Sequence, residues 1–269
     1  GQFDMIAIVG GGIAGLAAAR RLQARGVDAR VFEASDQVGG LAATRETAGD
    51  PIEAFYHHLS ASEETIVEVI EELGLGEDLH WPIGKNAYYV DGTVHPMDKP
   101  WEILAFPYLS TYDTFRLAML TQEIDVRGGV PSFDTYDRIE DFEDVGVEAF
   151  LVEHTTRGVY ETFFEPLLEA KFGSRMGDVS AAWLLGRIKF RGERDLLRGE
   201  PLGYLDGGFG RLLDGLVDDV GREHIETGTR VTGIERDAEG EVEAVAVDRG
   251  TGAGPEAVDA DGVVVAAMP

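Results

Sequence analysis

Ile6-Ala7-Ile8-Val9-Gly10-Gly11-Gly12-Ile13-Ala14-Gly15-Leu16 joins an apolar strand to a helix through a glycine turn, and its reading decides the fold. Residues 4 to 9 carry the strand. Leu16, Ala17, Ala18, Ala19 and Leu22 give residues 13 to 25 an apolar helical face that ends at Gly26. In this Gly-x-Gly-x-x-Gly spacing Gly10 permits the tight turn, Gly12 leaves room for backbone to approach a phosphate, and Gly15 lets the helix pack closely on the strand. The helix start at Ile13 and Ala14 presents unpaired N–H groups and the positive end of its dipole to an anion. The turn therefore predicts a site for the pyrophosphate of an adenine dinucleotide.

The next strand, Ala29-Arg30-Val31-Phe32, ends at Glu33, 18 residues beyond Gly15. An acid there accepts hydrogen bonds from the adenosine ribose and repels a 2′-phosphate, which disfavours NADP. After Glu33 come Ala34-Ser35-Asp36-Gln37-Val38, the doublet Gly39-Gly40, and Leu41. With this Glu-x5-Gly-Gly pattern the chain resembles the FAD-dependent oxidoreductases of the flavin amine oxidase, protoporphyrinogen oxidase and phytoene desaturase superfamily, almost continuously over residues 5 to 44. The resemblance implies FAD as cofactor, held by Gly10, Gly12, Ile13, Ala14, Gly15, Glu33, Ala34, Gly39, Gly40 and Leu41, with the doublet along the pyrophosphate. Many members carry Arg directly after the doublet. This chain has Leu41 there and Arg45 four positions later, a departure that bears against a guanidinium contact from that position.

The superfamily pattern returns near the other end, at Gly228-Thr229-x-Val231-x-x-Ile234 and at Asp261-Gly262-Val263-Val264-Val265-Ala266-Ala267. The resemblance implies that Val231 meets the adenine through its backbone. Strands are expected at 226–235, 241–248 and 262–267, the three forming a β-meander, after a helix at 209–220. Between the two matches the pattern changes. Ser60-x-x-Glu63 reads as a capping box opening a helix that Gly74 closes, and residues 87–95 read as a hairpin turning at Asp91-Gly92. Helical patterns follow at 111–126, 145–156, 158–172 and 181–190. The expected architecture is α/β: a Rossmann-like FAD/NAD(P)-binding domain with a parallel sheet and a β-meander, residues 1–60 and 200–269, interrupted by a largely helical substrate domain at 61–199. The inserted helices are expected to form a wall of a pocket over the flavin.

Composition narrows the partners. Fifty acidic residues against 23 basic ones give a net charge of −27, which argues against nucleic acid and anionic membrane as partners. Lysine occurs only at positions 85, 99, 171 and 189. Acid excess with scarce lysine reads as a halophilic, salt-loaded cytoplasm, where a Debye length of about 3 Å at 1 M salt screens self-repulsion, the alternative being an unusually acidic mesophilic protein. With no cysteine, disulfides and thiolate chemistry are excluded. No apolar run approaches the roughly 20 residues of a membrane span, so no integral membrane segment is expected and the reading is cytoplasmic. The partner is a small-molecule substrate, and the sequence leaves oligomeric state open. Because Met268-Pro269 directly follow an apolar strand that in the superfamily leads onward, a C-terminal truncation is expected, removing a Gly-Asp turn near the flavin.

No catalytic residue can be assigned from sequence. Tyr56, His57 and His58 follow the first dinucleotide unit and are weighed as flavin or substrate contacts, with plain packing favoured. Lys171, Arg187 and Arg191 are weighed as an anion pocket, with pairing to the abundant acids favoured. Trp81, Trp101 and Trp183 read as core, and the six histidines show no metal-ligand spacing. The preferred function is an FAD-dependent oxidoreductase taking hydride from an unidentified organic substrate. One alternative is a non-redox flavoenzyme resembling UDP-galactopyranose mutase, drawn from Lys171-Phe172-Gly173, Val179-Ser180-Ala181-Ala182 and Arg187-Ile188. The other is a dinucleotide-binding fragment without catalysis.

Overall fold

The computed structural model of the chain describes residues 5–55, 57–61, 63–121, 140–192 and 201–267. They fall into two compact units, Gly1–Pro82 with Pro201–Pro269, and Ile83–Glu200.

The first unit is built on a parallel sheet. Met5–Val9 lies between Asp28–Phe32, where Ile8 faces Val31, and Gly262–Val265, where Ile8 faces Val264. Ile225–Glu226 extends the sheet beyond Asp28–Phe32. Continuous apolar runs suit strands covered on both faces. Here Val263 packs against Ala7, Phe32 and Val245, while Val264 packs on the other side with Ile8, Ala19 and Val31. Helix Gly210–Val220 buries Leu212, Leu213, Leu216, Val217 and Val220, a single stripe at helical spacing. That stripe meets Leu16 of helix Ile13–Gln23 and Val69 and Ile70 of helix Glu64–Glu72.

Three details differ from the sequence expectation. The chain first crosses between units at Pro82, not at residue 60, because Glu64–Glu72 gives its apolar face to the first unit's core. The span 226–235 is two strands. Gly228 N–H donates to the Ser35 carbonyl at 2.7 Å and Thr229 N–H to the Glu33 carbonyl at 2.8 Å, turning the chain between the parallel sheet and Arg230–Arg236. Finally, the meander consists of Arg230–Arg236, Val242–Asp248 and Glu256–Asp259, and Gly262–Val265 belongs to the parallel sheet instead. The half-polar Glu-Ala-Val-Asp segment tolerates a sheet edge, whereas Gly-Val-Val-Val needs cover on both faces.

The second unit opens with the expected hairpin. Ala87–Val90 pairs with Thr93–Pro96 across Asp91 at φ 49° and Gly92 at φ 79°, both left-handed as a type I′ turn requires. Its helices Thr111–Thr121, Val147–His154 and Ala181–Gly192 begin close to where the sequence places them; residues 122–126 of the first lie outside the described residues. The expected 158–172 helix is interrupted. Arg157–Val159 is α, Tyr160–Phe164 widens to a π turn, and Glu165–Phe172 resumes as α. Pro166 accounts for the wide turn, since it has no N–H for the Thr162 carbonyl and its ring crowds that oxygen. Phe150, Leu151, Val159 and Leu120 are fully buried at the centre of this unit. Trp183 packs against that core, but Trp101 is 52% exposed with the Lys99 ammonium 5.1 Å above its ring, contrary to a core role. Among the described residues no helix is long and apolar enough to cross a membrane.

Candidate dinucleotide site

A cavity of about 410 Å³ opens in the first unit where the Met5–Val9 strand turns into the Ile13–Gln23 helix. That volume lies within the roughly 300–1,000 Å³ of small-molecule sites. The glycines around it divide by what holds them. Gly10 has φ +106°, and a Cβ there would sit 3.0 Å from the Ala267 nitrogen. At Gly15 a Cβ would lie 1.9 Å from the Gly10 carbonyl oxygen. The protein itself forbids side chains at both.

Gly12 is different. Its φ of −74° is ordinary, and the nearest atom to a Cβ at this position would be the Gly39 oxygen, 3.9 Å away. Nothing in the protein requires glycine here; the space a side chain would fill is the cavity.

The Glu33 carboxylate closes one side. Its Oε2 accepts the Gly11 N–H at 2.7 Å and its Oε1 accepts the Ser35 N–H at 2.8 Å. The acid thus braces the glycine turn, and each oxygen keeps lone-pair capacity for a further donor. The doublet folds over the turn: Gly39 N–H donates to the Gly11 carbonyl at 2.8 Å, and Gly40–Ala42 form one 3-10 turn.

Of the residues assigned from sequence, Gly10, Gly12, Ile13, Ala14, Glu33, Gly39, Gly40 and Leu41 line the cavity together. Gly15 stands behind the turn, Ala34 is exposed outside the lining, and Val231 packs its side chain toward the Phe32–Val245–Val247 cluster. Ala42, His57, Ala266 and Ala267 complete the lining. The sequence favours plain packing for His57 and reads Ala266-Ala267 as the end of a strand; only the parallel pairing of that strand with Met5–Val9 brings the two alanines to the turn.

The His57 Nδ1 lies 2.7 Å from the Phe55 carbonyl, and the ring stands edge-on to Phe209 with centroids 6.4 Å apart. Behind it, Glu53 accepts the Phe209 N–H at 2.7 Å and the Tyr204 hydroxyl at 2.9 Å. Burial pushes the Glu53 carboxyl up, but the Phe209 N–H, the Tyr204 hydroxyl and the nearby His57 together hold it below the ordinary carboxylate range. Tyr204 titrates higher than usual, through burial and through its bond to that carboxylate.

Two members of the weighed basic pocket are described. Lys171 is exposed at the end of Glu165–Phe172, and Arg187 is exposed with its guanidinium 5.8 Å from the Trp183 ring centroid. Tyr56 and the Arg191 side chain lie outside the described residues. Among the described residues no group of three His, Asp or Glu could hold a metal.

A strand–glycine turn–helix unit with an acid at the end of the second strand and a second glycine doublet suits a dinucleotide, and the sequence comparison supplies the family. The family model of the flavin containing amine oxidoreductases matches residues 13–269. The chain belongs to that family. Its members are FAD-dependent oxidoreductases with this α/β fold. Protoporphyrinogen oxidase 2 of Arabidopsis thaliana is 30% identical over 117 residues, 42% of this chain and 23% of that protein. Coproporphyrinogen III oxidase of Propionibacterium freudenreichii is 28% identical over 196 residues, 71% of this chain and 36% of that one. In fold, a putative protoporphyrinogen oxidase from Exiguobacterium superposes with a TM-score of 0.67 at 22% identity, covering 97% of this chain and 59% of its own. The chain thus spans little more than half of that structure and about a third or less of those two relatives.

The cavity fits the group the family carries. Gly12 leaves the room a pyrophosphate needs, the Ile13–Gln23 N-terminus faces the same space, and Glu33 stands at the end of the second strand with acceptor capacity to spare.

Proposed function

We propose that this chain holds FAD in an oxidoreductase that takes hydride from a small organic substrate. The observation that carries the reading is Gly12, a glycine whose own protein surroundings would accept a side chain and whose only evident constraint is the cavity it lines. Gly10, Ile13, Ala14, Gly39, Gly40 and Leu41 surround the dinucleotide in this reading, and Glu33 receives the ribose hydroxyls. Gly15 contributes by setting the helix against the turn, Ala34 and the Val231 backbone by meeting the adenosine end. When bound, the flavin supplies the two-electron acceptor, while the chain supplies position and electrostatics. We assign cofactor holding to residues 1–82 and 201–269 and substrate recognition to 83–200. The relatives named for porphyrinogens make a reduced tetrapyrrole the first substrate class to assay. The mutase-like alternative draws no support from the family match.

Gly12→Val tests the site directly. It should leave helix content and melting temperature close to wild type and abolish FAD binding, read by flavin fluorescence quenching. A folded Gly12→Val protein that retains FAD would remove the turn from the site.

A further inference from the structure

The charge balance of the cavity is incomplete. A dinucleotide pyrophosphate carries two negative charges, and Glu33 adds a third. Among the lining residues only Glu33 and His57 are ionisable, and neither Lys nor Arg is present. Two nearby backbone donors are already committed, Gly10 N–H to the Phe32 carbonyl at 2.9 Å and Gly11 N–H to Glu33. Leu41 supplies no charge where the doublet ends.

We propose that His57, as an imidazolium, is the cationic contact to the pyrophosphate of the bound dinucleotide. The inference rests on the dinucleotide reading above. A carbonyl oxygen can only accept, so the 2.7 Å contact with Phe55 places a proton on Nδ1. The second nitrogen, Nε2, makes no hydrogen bond among the described residues, and it is the atom that gains the proton as the ring charges. The ring is held edge-on against Phe209, which fixes its orientation. Two acids stand near the ring: Glu53, held below the ordinary carboxylate range by the Phe209 N–H and by Tyr204, and Glu33, which lines the same cavity. Binding should therefore raise the affinity of His57 for its proton. The added affinity for the dinucleotide should be lost as pH rises and Nε2 gives up its proton.

The test is calorimetric titration of the full chain with FAD and with ADP-ribose between pH 5.5 and 8.5. ADP-ribose shares the adenosine and pyrophosphate and has no group that titrates in that range. Affinity for both ligands should fall by about tenfold from the acid to the alkaline end, the scale of one hydrogen bond to a charged group. At pH 7, buffers of different ionisation enthalpy should reveal net proton uptake on binding, a measurement that needs no variant. His57→Gln should bind both ligands with a flat pH profile and an unchanged circular dichroism spectrum. Flat wild-type profiles, absent proton uptake, or a slope that survives in His57→Gln would overturn the proposal. So would a slope seen with FAD alone, since the cation would then meet the isoalloxazine rather than the pyrophosphate. Failure of both ligands to bind at every pH would instead remove the dinucleotide reading, and this inference with it.

Discussion

Around Gly10–Gly15 the backbone sets the geometry, and around Thr155–Phe164 the side chains do. In the first region a helix lies so close to a turn that a single methyl at Gly15 would overlap the Gly10 oxygen. In the second, a helix ends at His154 because buried Arg116 donates to the His154 carbonyl at 2.7 Å and Thr155 Oγ1 to the Leu151 carbonyl. The next helix then starts at Thr156, whose hydroxyl oxygen accepts the Val159 N–H at 3.0 Å and donates to Asp113. A backbone solution is written in a few adjacent residues. A side-chain solution is written across 38 residues, from Arg116 to His154.

This contrast can be broken at both ends. The largest effect is expected at Gly15→Ala, because a 1.9 Å approach to backbone cannot be relieved by a rotamer change. The destabilisation should exceed the roughly 1–3 kcal/mol of ordinary overpacking. Native-like thermal unfolding of that variant would show that the turn is not rigidly packed. Next comes Phe150→Ala in the helical unit, where a side chain 1% exposed lies at the centre of the core. It should cost about 3–5 kcal/mol, read by urea denaturation, and leave FAD affinity unchanged. A parallel loss of FAD affinity would mean the two units are not independent in function.

Smaller changes sharpen the comparison. Glu33→Ala should weaken FAD binding by about 1.5–3 kcal/mol, the scale of hydrogen bonds to a charged group, and should also loosen the turn through the lost Gly11 contact. Thr156→Ala should cost about 1 kcal/mol through the lost helix cap. Its partner Asp113 is held below the usual carboxylate range by the Ser110 hydroxyl first and by Thr156 second. A depressed carboxyl stabilises the fold above its unfolded value of about 3.9 and ceases to do so as pH falls through the folded one. The wild type should therefore lose more stability than Asp113→Asn between pH 5 and 2.5, by matched melting curves. The mildest effect is common to both regions: with a net charge of −27, molar KCl should raise the melting temperature, and a flat or falling curve would argue against salt adaptation.

Legibility in the sequence follows the same division. The Met5–Val9 strand, the Ile13–Gln23 helix, Glu33, the glycine doublet and the Asp91–Gly92 turn are local patterns, and the structure contains each of them. The assignment of Gly262–Val265 to the meander failed because its partner, Met5–Val9, lies at the opposite end of the chain. Glu256–Asp259 escaped notice because four half-polar residues carry almost no strand signal. The same distance hid Ala266 and Ala267 from the candidate site. His57 reaches the cavity through contacts with Phe55 and Phe209, of which only the first is local.

The closing strand also sets a clock. Met5 and Asp261 are bonded across 256 residues, so during synthesis one edge of the central sheet stays open until residues 261–265 have emerged. At about 5–20 residues per second that wait is roughly ten to fifty seconds. Residues 83–200 finish emerging earlier and carry a core of their own, whereas the nascent Met5–Val9 and Asp28–Phe32 pair must avoid foreign strands until Gly262–Val265 arrives. Chaperone dependence should therefore concentrate in the N-terminal strands, and a circular permutant that begins near residue 201 and runs through the 262–265 strand into residue 5 should shorten the exposure.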